Sequence, residues 1–314
     1  MMAETELSGQ VSVVIPCYNA VDWIARTIAS VQAQGAVVAQ IIVVDDGSTD
    51  ASLDVLRPLA DAGKITLKTG PNKGGCHARN VGLAEVTAPY VMFLDADDEI
   101  TGEILHGSAV AAQGARADIV FSPMEIRYPD RDPQRRPPVG PPHQTEREVF
   151  ANWFDGDWVS TCAVVWRTDF VRGIGGWDES LRVGQDGEIV LRALLRDAVV
   201  ARNTEGCGIY YRGNPGSVSL SGGITRSKLQ GQIDLVIRMN KAATEKGWGD
   251  MLSRNYAALY FLARKAFRAG FTDLGHRTLS ILREAGHHRH HGTRVHVFIS
   301  SLIGLERKVR WFGS

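Results

Sequence analysis

YVMFLDADD, residues 90–98, decides the fold class, because an apolar run passes directly into acidic residues. Five apolar or aromatic residues in a row are typical of a buried β-strand, and Asp95 and Asp97 follow at its carboxyl end. The same arrangement occurs upstream in VSVVIPCYNA, residues 11–20, and in IIVVDDGSTD, residues 41–50. Helical patterns separate these strands, so the sequence predicts an α/β fold whose mostly parallel sheet is flanked by helices.

Hydrophobic periodicity extends this pattern along the chain. Strands are predicted at 11–15, 41–44, 65–68, 90–94 and 119–122. Helices are predicted at 22–34, 53–60, 77–85, 187–195, 228–243, 251–269 and 272–285. Residues 129–142 hold six of the twelve prolines and predict a flexible or extended loop. Because ligands bind at the carboxyl ends of strands in such sheets, the loops after the strands are the expected site.

Composition limits the classes of function. The chain has 314 residues, of which 44% are hydrophobic and 22% charged, as in ordinary globular proteins that bury a sizeable core. Lys and Arg together number 35, and so do Asp and Glu. We therefore expect no nucleic-acid partner, since no excess of positive charge favours one.

Cysteine usage and hydropathy predict the compartment. The four cysteines, Cys17, Cys76, Cys162 and Cys207, form no CxxC pair and predict free thiols rather than a zinc site or disulfides. Residues 1–10 lack the basic start and apolar run of a signal peptide. No apolar stretch reaches the roughly 18 residues of a membrane-spanning helix. We expect a cytoplasmic protein that rests at most on the inner face of the membrane.

Several motifs in a fixed order resemble those of glycosyltransferase family 2, whose members have the GT-A fold. The matching pieces are VSVVIPCYNA (11–20), VVDDGSTD (43–50), GPNKGGCHARNVGLAEVTAPYVMFLDADD (70–98), GGWDESLRVGQDGEIVLRAL (175–194) and YYRGNPGSVS (210–219). The resemblance implies a nucleotide-sugar-binding half at 1–125 and an acceptor-binding, catalytic half at 126–224. Residues 225–314 then form a C-terminal helical region.

Asp95-Ala96-Asp97 resembles the family's DxD motif, which lies in the donor site. Carboxylates at a strand end can hold Mn²⁺ or Mg²⁺, which neutralises charge on a leaving diphosphate. The resemblance makes Asp97 the direct metal ligand and lets Asp95 contact the ribose or the metal's waters. A solvated acidic turn is the alternative. A calcium loop is disfavoured, because Ile100 stands where such a loop requires glycine.

The nucleotide site is assigned by resemblance to the loops after the first two strands and to residues near Gly74. Its expected members are Pro16, Tyr18, Asn19, Asp46, Lys73 and Arg79. Tyr18 can stack on a base, and the Asp46 carboxylate can accept the imide N–H of uracil. A packing aromatic and a turn or capping residue are the respective alternatives. No GxGxxG is present, so a dinucleotide site is disfavoured.

GQDGE, which contains Gln185 and Asp186, resembles the family's Glu-Asp base motif, with Gln in place of the common Glu. The resemblance makes Asp186 the general base of an inverting transferase, which removes the proton from the acceptor hydroxyl. Glu188 is expected to orient the acceptor or Asp186. Trp177 and Asp178 resemble the acceptor-side wall. A helix cap at Asp186 and a core position for Trp177 are the alternatives.

Tyr210-Tyr211-Arg212 followed by SVS at 217–219 resembles a loop that closes over the diphosphate. Many relatives carry a His soon after that Arg, where this chain has Gly213 and Asn214. We therefore expect Arg212 itself to balance phosphate charge.

The C-terminal segment 287–314 has five Arg and Lys, one Glu and an apolar run at 295–305. It predicts either an interfacial element on anionic lipid or a terminal helix docked on the core. The histidines at 287, 288, 290 and 291 indicate a solvated basic loop or, alternatively, a metal site. The C-terminal helices suit both subunit pairing and capping of the fold, so an oligomer stays open.

The resemblance implies an inverting transferase that moves a sugar from a UDP-sugar to an acceptor hydroxyl. The expected acceptor is a glycan or a lipid-linked precursor of a surface polysaccharide. The lack of membrane spans and of a QxxRW motif disfavours a processive synthase. A sugar nucleotidyltransferase is the enzymatic alternative, although PCYN at 16–19 is not the basic glycine-rich loop it would need. A non-catalytic sugar-nucleotide or glycan-binding protein is the other alternative.

Overall fold

A computed structural model describes residues 7–213, 224–287 and 291–312 of the chain. Within them the chain divides into two compact units. The first unit comprises residues 7–146, 159–180 and 185–213, and the second comprises the remaining described residues. The predicted functional boundaries at 125/126 and 224/225 stay predictions.

Eleven strands are described in the first unit. They are β1 (Val11–Cys17), β2 (Val38–Asp45), β3 (Thr66–Thr69), β4 (Tyr90–Phe93), β5 (Glu99–Thr101), β6 (Ile119–Phe121), β7 (Met124–Tyr128), β8 (Arg131–Arg136), β9 (Val164–Arg167), β10 (Val200–Arg202) and β11 (Cys207–Tyr211). The α-helices of this unit are Ile24–Gln32, Ser52–Asp61, Gly75–Glu85, Ile104–Ala115, Thr168–Gly173 and Gln185–Leu195. All five predicted strands and the first four predicted helices are confirmed, with ends displaced by at most three residues.

A seven-stranded sheet runs in the order β10-β6-β9-β4-β1-β2-β3, and only β9 lies antiparallel to its neighbours. Strand β1 is central, and its apolar residues are buried because neighbouring elements cover it on both faces. Parallel pairing brings Cys17 opposite Asp45 and Val14 opposite Phe93. The ends of β1, β2 and β4 therefore meet at one edge, which confirms the mostly parallel α/β sheet and gathers the loops after those strands.

A second, four-stranded sheet has the order β5-β11-β7-β8 and corrects one prediction. Arg131–Arg136, expected within a flexible or extended loop, is an edge strand antiparallel to β7. Pro133 and the prolines on either side of the strand indicate a loop when the sequence is read alone. Pro133 is exposed on this edge strand, where a residue without a backbone N–H costs no ladder hydrogen bond.

The second unit is helical in its described part. Its main helices are Arg226–Glu245, Ser253–Arg268, Thr272–Glu284, Arg294–Ile303 and Leu305–Phe312. The first three confirm the helices predicted at 228–243, 251–269 and 272–285. Their apolar faces form a core of their own, which includes Ile233, Leu259 and Leu282. Among the described residues, no helix combines the length and apolar character that crossing a membrane requires.

Gly82 allows the helix Gly75–Glu85 to lie directly on β1. A Cβ atom at Gly82 would come within 2.3 Å of Val14 Cγ1. We expect Gly82→Ala to lower the free energy of unfolding by about 1–3 kcal/mol, because a packed core resists extra volume. Urea unfolding measures this change.

Gly114 provides the matched control, since it lies in the helix Ile104–Ala115 and a Cβ there meets nothing within 4 Å. Gly114→Ala should raise the free energy of unfolding by about 0.5–1 kcal/mol. Equal effects of the two substitutions would contradict the close helix–strand packing.

Candidate active site

The loop after β1 is locked to the loop after β2 by Asn19. Its backbone has φ 48°, in the left-handed region that Asn tolerates better than most residues. The Asn19 N–H donates to Ser48 Oγ at 3.0 Å, and Asn19 Oδ1 accepts from the Thr49 N–H at 2.7 Å. The predicted nucleotide residues Pro16 and Tyr18 precede this clamp and are half-buried.

Asp46 joins the second loop to the loop around Gly74. Its buried carboxylate accepts the backbone N–H groups of Lys73 at 2.9 Å and Gly74 at 2.7 Å. The structure thus gives Asp46 the role of a turn-stabilising residue and brings it together with exposed Lys73. Contact of Asp46 with a base stays a prediction.

The DADD loop, residues 95–98 after β4, is held by hydrogen bonds to the neighbouring helix Ile24–Gln32. The Thr27 hydroxyl lies 2.8 Å from the carbonyl oxygens of both Ala96 and Asp98. Asp98 is fully buried, and its Oδ1 accepts from the Tyr211 N–H of β11 at 3.0 Å. Burial, followed by the charges of Asp95 and Asp97, raises the pKa of Asp98 well above its ordinary value.

Arg79 connects three parts of the site. Its Nη2 donates to Asp95 Oδ1 at 2.5 Å, and its Nη1 donates to Gln185 Oε1 at 3.3 Å. The guanidinium also lies 4.5 Å from the Trp177 ring centroid. Arg79 was predicted to reach the nucleotide. In the structure its side chain is buried and contacts Asp95 of the DADD loop, Gln185 at the start of the helix Gln185–Leu195, and the Trp177 ring.

Asp186 stands in the first turn of the helix Gln185–Leu195. The side chain is partly accessible, yet the protein around it desolvates the carboxyl and raises its pKa to about 6. The charge of Asp95 adds to this rise, and Arg79 opposes it. At neutral pH the carboxylate is therefore ionised and able to accept a proton, as a general base must be.

The predicted acceptor wall is held by Asn80, which sequence reasoning missed. Asn80 Nδ2 donates to the Trp177 carbonyl at 2.9 Å, and Asn80 Oδ1 accepts the Trp177 N–H at 2.8 Å. The Trp177 side chain is buried and meets the Phe93 ring edge-on at 5.2 Å. Neither face of the indole is open to a sugar in this conformation, so the core alternative describes Trp177. Asp178 is half-buried and accepts from the Ser180 N–H at 3.0 Å.

Glu188 is buried and forms a two-point ion pair with Arg192, at 2.8 and 3.0 Å. Arg192 also donates to the carbonyl oxygens of Ile174 and Gly176, before Trp177. Glu188 thus helps to hold the loop that precedes Trp177. Its predicted contact with the acceptor stays a prediction. Arg192, missed from sequence, could have been found from its i,i+4 spacing to Glu188.

Arg212 lies just after β11, with its guanidinium carbon 5.8 Å from the Tyr210 ring centroid. The backbone N–H of Arg212 donates to the Arg127 carbonyl at 2.8 Å, so the pairing between β7 and β11 continues through this residue. The rest of the predicted closing loop, including Asn214 and residues 217–219, lies outside the described residues, as do His288 and His290.

Asp95 and Asp97 are the candidates to hold a metal ion. In the described part of the chain, no three His, Cys, Asp or Glu side chains form a complete metal site. Mg²⁺ at nucleotide sites takes one or two carboxylates and completes its shell with phosphate oxygens and water. The two carboxylates are partly accessible, and they lie next to Asp98, which is buried and whose Oδ2 has no hydrogen-bond partner. This donor set fits such a cation.

Arg79→Lys tests the connecting role of the guanidinium. Lys keeps the positive charge but cannot reach Asp95, Gln185 and Trp177 together. We expect the free energy of unfolding to fall by roughly 1–3 kcal/mol, because buried polar partners lose their hydrogen bonds. Arg57→Lys, on an exposed helix surface, should change it by no more than about 0.5 kcal/mol. Equal stability of the two variants in urea unfolding would refute this role.

Comparison with known proteins places this geometry in a family. Residues 12–172 match the family model described as glycosyl transferase family 2. The teichoic acid poly(glycerol phosphate) polymerase of Staphylococcus epidermidis is 37% identical over 94 residues, which are 29% of this chain and 13% of that protein. The UDP-Glc:alpha-D-GlcNAc-diphosphoundecaprenol beta-1,3-glucosyltransferase WfaP of Escherichia coli is 38% identical over 88 residues. That match covers 28% of this chain and 35% of WfaP. The chain thus aligns with well under two thirds of either relative.

A solved structure supports the fold. S. aureus TarS 1–349, in complex with UDP-GlcNAc, superposes with a TM-score of 0.60 at 20% identity. The match covers 83% of this chain and 75% of that one. At this identity the likeness demonstrates a shared fold. Since the family model covers more than half of the 314 residues, the chain belongs to glycosyl transferase family 2, and its fold is the GT-A fold.

Proposed function

We propose that this protein is an inverting glycosyltransferase that transfers a sugar from a UDP-sugar to an acceptor hydroxyl. The observation that carries the proposal is Asp186, an accessible carboxylate with a pKa of about 6 beside the Arg79–Asp95 pair. Asp186 lies in the first turn of the helix that begins at Gln185. This arrangement suits proton removal next to a donor site.

The proposed donor lies across the ends of β1, β2 and β4. Tyr18 would stack on the uracil and Asp46 would accept its imide N–H, since Asp46 keeps lone pairs beyond its two backbone bonds. Lys73 and Arg212 would balance diphosphate charge. TarS, which shares the fold, was crystallised with UDP-GlcNAc and with UDP. These complexes support a UDP-sugar as the donor class.

A divalent cation, Mn²⁺ or Mg²⁺, would be held by Asp97, with Asp95 contacting its waters or the ribose. When bound, the ion supplies neutralisation of the charge that develops on the leaving diphosphate. Asp95 is kept in place by Arg79, and Ala96 is kept in place by the Thr27 hydroxyl. The chain thus orients the donor before transfer begins.

Asp186 would take the proton of the acceptor hydroxyl while its oxygen attacks the anomeric carbon opposite the leaving diphosphate. In-line attack inverts the configuration at that carbon. A carboxylate in the first turn of the helix Gln185–Leu195 lies near the positive end of the helix dipole, which favours its ionised form. Glu188 and Arg192 would keep the acceptor-side loop in position.

The acceptor class is inferred from the relatives. The name of WfaP specifies a lipid-diphosphate-linked sugar as its acceptor, and another relative polymerises teichoic acid. We infer that this chain acts on a glycan or a lipid-linked precursor during synthesis of a cell-surface polysaccharide. Such work at the cytoplasmic side of a membrane suits a chain without a predicted spanning helix.

Asp186→Asn tests the base assignment. The amide keeps the shape of the side chain but cannot accept the acceptor proton, so transfer should fall by about 10²–10⁴-fold. UDP affinity should stay within about twofold, because Asp186 is assigned to the acceptor and not to the nucleotide. Sugar-transfer assays and calorimetry with UDP measure the two effects. Asp61→Asn, an exposed control, should transfer normally. Full turnover by Asp186→Asn would remove Asp186 from the mechanism.

Calorimetric titration of UDP, with Mn²⁺ and then with EDTA, tests the metal. We expect UDP affinity to fall at least about tenfold in EDTA, because diphosphate and cation bind together. Asp97→Asn should weaken binding in Mn²⁺ toward the EDTA value, while Asp61→Asn should not. Equal UDP affinity in both solutions would argue against a metal-dependent donor site.

A further inference from the structure

The helix Arg294–Ile303 buries polar side chains and exposes apolar ones, whereas a helix docked on a core buries its apolar face. Its buried side chains are His296 and Ser300. Val295, Phe298 and Leu302, at i, i+3 and i+7 on one face, are each 66–68% exposed. Buried His296 is satisfied within the unit, since the Tyr260 hydroxyl lies 3.0 Å and the Ser300 hydroxyl 3.3 Å from its Nε2. The helix is therefore anchored by polar contacts and leaves an apolar face toward solvent.

This apolar face belongs to a larger pattern. Of eight large apolar residues exposed in the described chain, six lie in the second unit. Trp311 is 63% exposed in the next helix, Leu305–Phe312. Phe261, 39% exposed, has its ring 6.4 Å from His291, three residues before Arg294. Exposed apolar side chains concentrated in this way mark an interaction surface.

Charge is distributed just as unevenly. Residues 253–314 contain eleven Arg and Lys and three Asp and Glu, a formal charge of +8. Residues 1–252 contain 24 Arg and Lys and 32 Asp and Glu, a formal charge of −8. The overall neutrality of the chain therefore conceals a strongly basic C-terminal fifth, and its partner should be anionic.

Several of these cations lie close together. Arg268 and Arg310 both border an open depression of about 490 Å³, and Arg268 with Lys265 borders a second of about 610 Å³. Loss of solvent contact, followed by the charges of Arg264 and Arg268, lowers the pKa of Lys308. Positive charge thus outweighs negative charge around the junction of the helices Ser253–Arg268 and Leu305–Phe312, where Glu306 also borders the first depression.

We propose that this surface, the apolar residues Val295, Phe298, Leu302 and Trp311 with the cations around Arg268, docks on an anionic lipid bilayer. The apolar side chains would enter the boundary between headgroups and acyl chains, and the cations would contact lipid phosphates. The proposal extends the sequence-based expectation for 287–314 to the helix Ser253–Arg268. It does not depend on the donor or acceptor of the transferase.

A second copy of the chain fits this surface less well. A two-fold dimer would place the same patch on both sides of the interface, so a basic surface would face another basic surface. Such like-charge contact opposes association, whereas a bilayer rich in phosphatidylglycerol offers the complementary charge.

Vesicle co-sedimentation of the full chain tests the proposal. The vesicles contain either phosphatidylcholine alone or phosphatidylcholine and phosphatidylglycerol in equal amounts. We expect binding to the anionic vesicles that weakens as salt rises, and little binding to the neutral ones. Phe298→Ser with Leu302→Ser should weaken binding at least about tenfold. Val110→Ser with Val199→Ser, exposed residues of the first unit, should not weaken it.

Charge is tested separately with Arg268→Gln and Arg310→Gln, which should weaken binding to anionic vesicles roughly tenfold. Arg57→Gln with Arg131→Gln, exposed in the first unit, provides the control. UDP titration of each variant shows that its donor site is intact, so failure here is distinguishable from failure of the proposed function.

Three results would overturn the proposal. One is no binding to anionic vesicles by a chain that still binds UDP. Another is equal binding to neutral vesicles. The third is the absence of vesicle binding together with a dimer in analytical ultracentrifugation. If Phe298→Ser with Leu302→Ser dissociates that dimer, the surface binds a second copy of the chain and not a bilayer.

Discussion

The contact between Arg79 and Asp95 is the interaction on which the rest of the site depends. Arg79 is the only buried Arg or Lys in the described first unit, and a buried cation is stable only where carboxylates and polar groups surround it. Asp95 supplies that partner at the end of β4. The remaining contacts of Arg79, with Gln185 and the Trp177 ring, then fix two distant segments relative to the DxD loop. One guanidinium therefore connects the loop that carries Asp95 to the start of the helix that carries Asp186, the proposed base.

Sequence alone predicted the strand ends well, because parallel strands that alternate with helices must end at one edge. It therefore brought Tyr18, Asp46 and Asp97 to the same region before any coordinates were known. It missed β9, since four residues carry too little periodicity and nothing local signals insertion between β4 and β6. The edge strand Arg131–Arg136 was missed for another reason. Pro133 and the prolines that flank the strand indicate a loop unless it is known which side of the strand is unpaired.

The side-chain roles show a sharper limit. Trp177 follows a pair of glycines in an acceptor-side motif, yet its ring packs on Phe93 and Arg79. Residue type and spacing cannot reveal this, because the Trp177 backbone is held by Asn80 and its ring contacts Phe93 and Arg79, all of them more than eighty residues away in sequence. The helix Arg294–Ile303 is a similar case. Its apolar run was visible, but only tertiary contacts of His296 decide which face is covered.

Charge explains why the site should bind its substrate and cation as one set. Asp95, Asp97 and Asp186 carry three negative charges when ionised, and Arg79 offsets one of them. Burial and the neighbouring carboxylates raise the pKa of Asp98 well above its ordinary value, which disfavours a further negative charge beside Asp95 and Asp97. The charge on Asp97 would repel a diphosphate, whereas the proposed divalent cation would neutralise it. On this proposal the diphosphate and the cation would each favour binding of the other at the loop that carries Asp95 and Asp97.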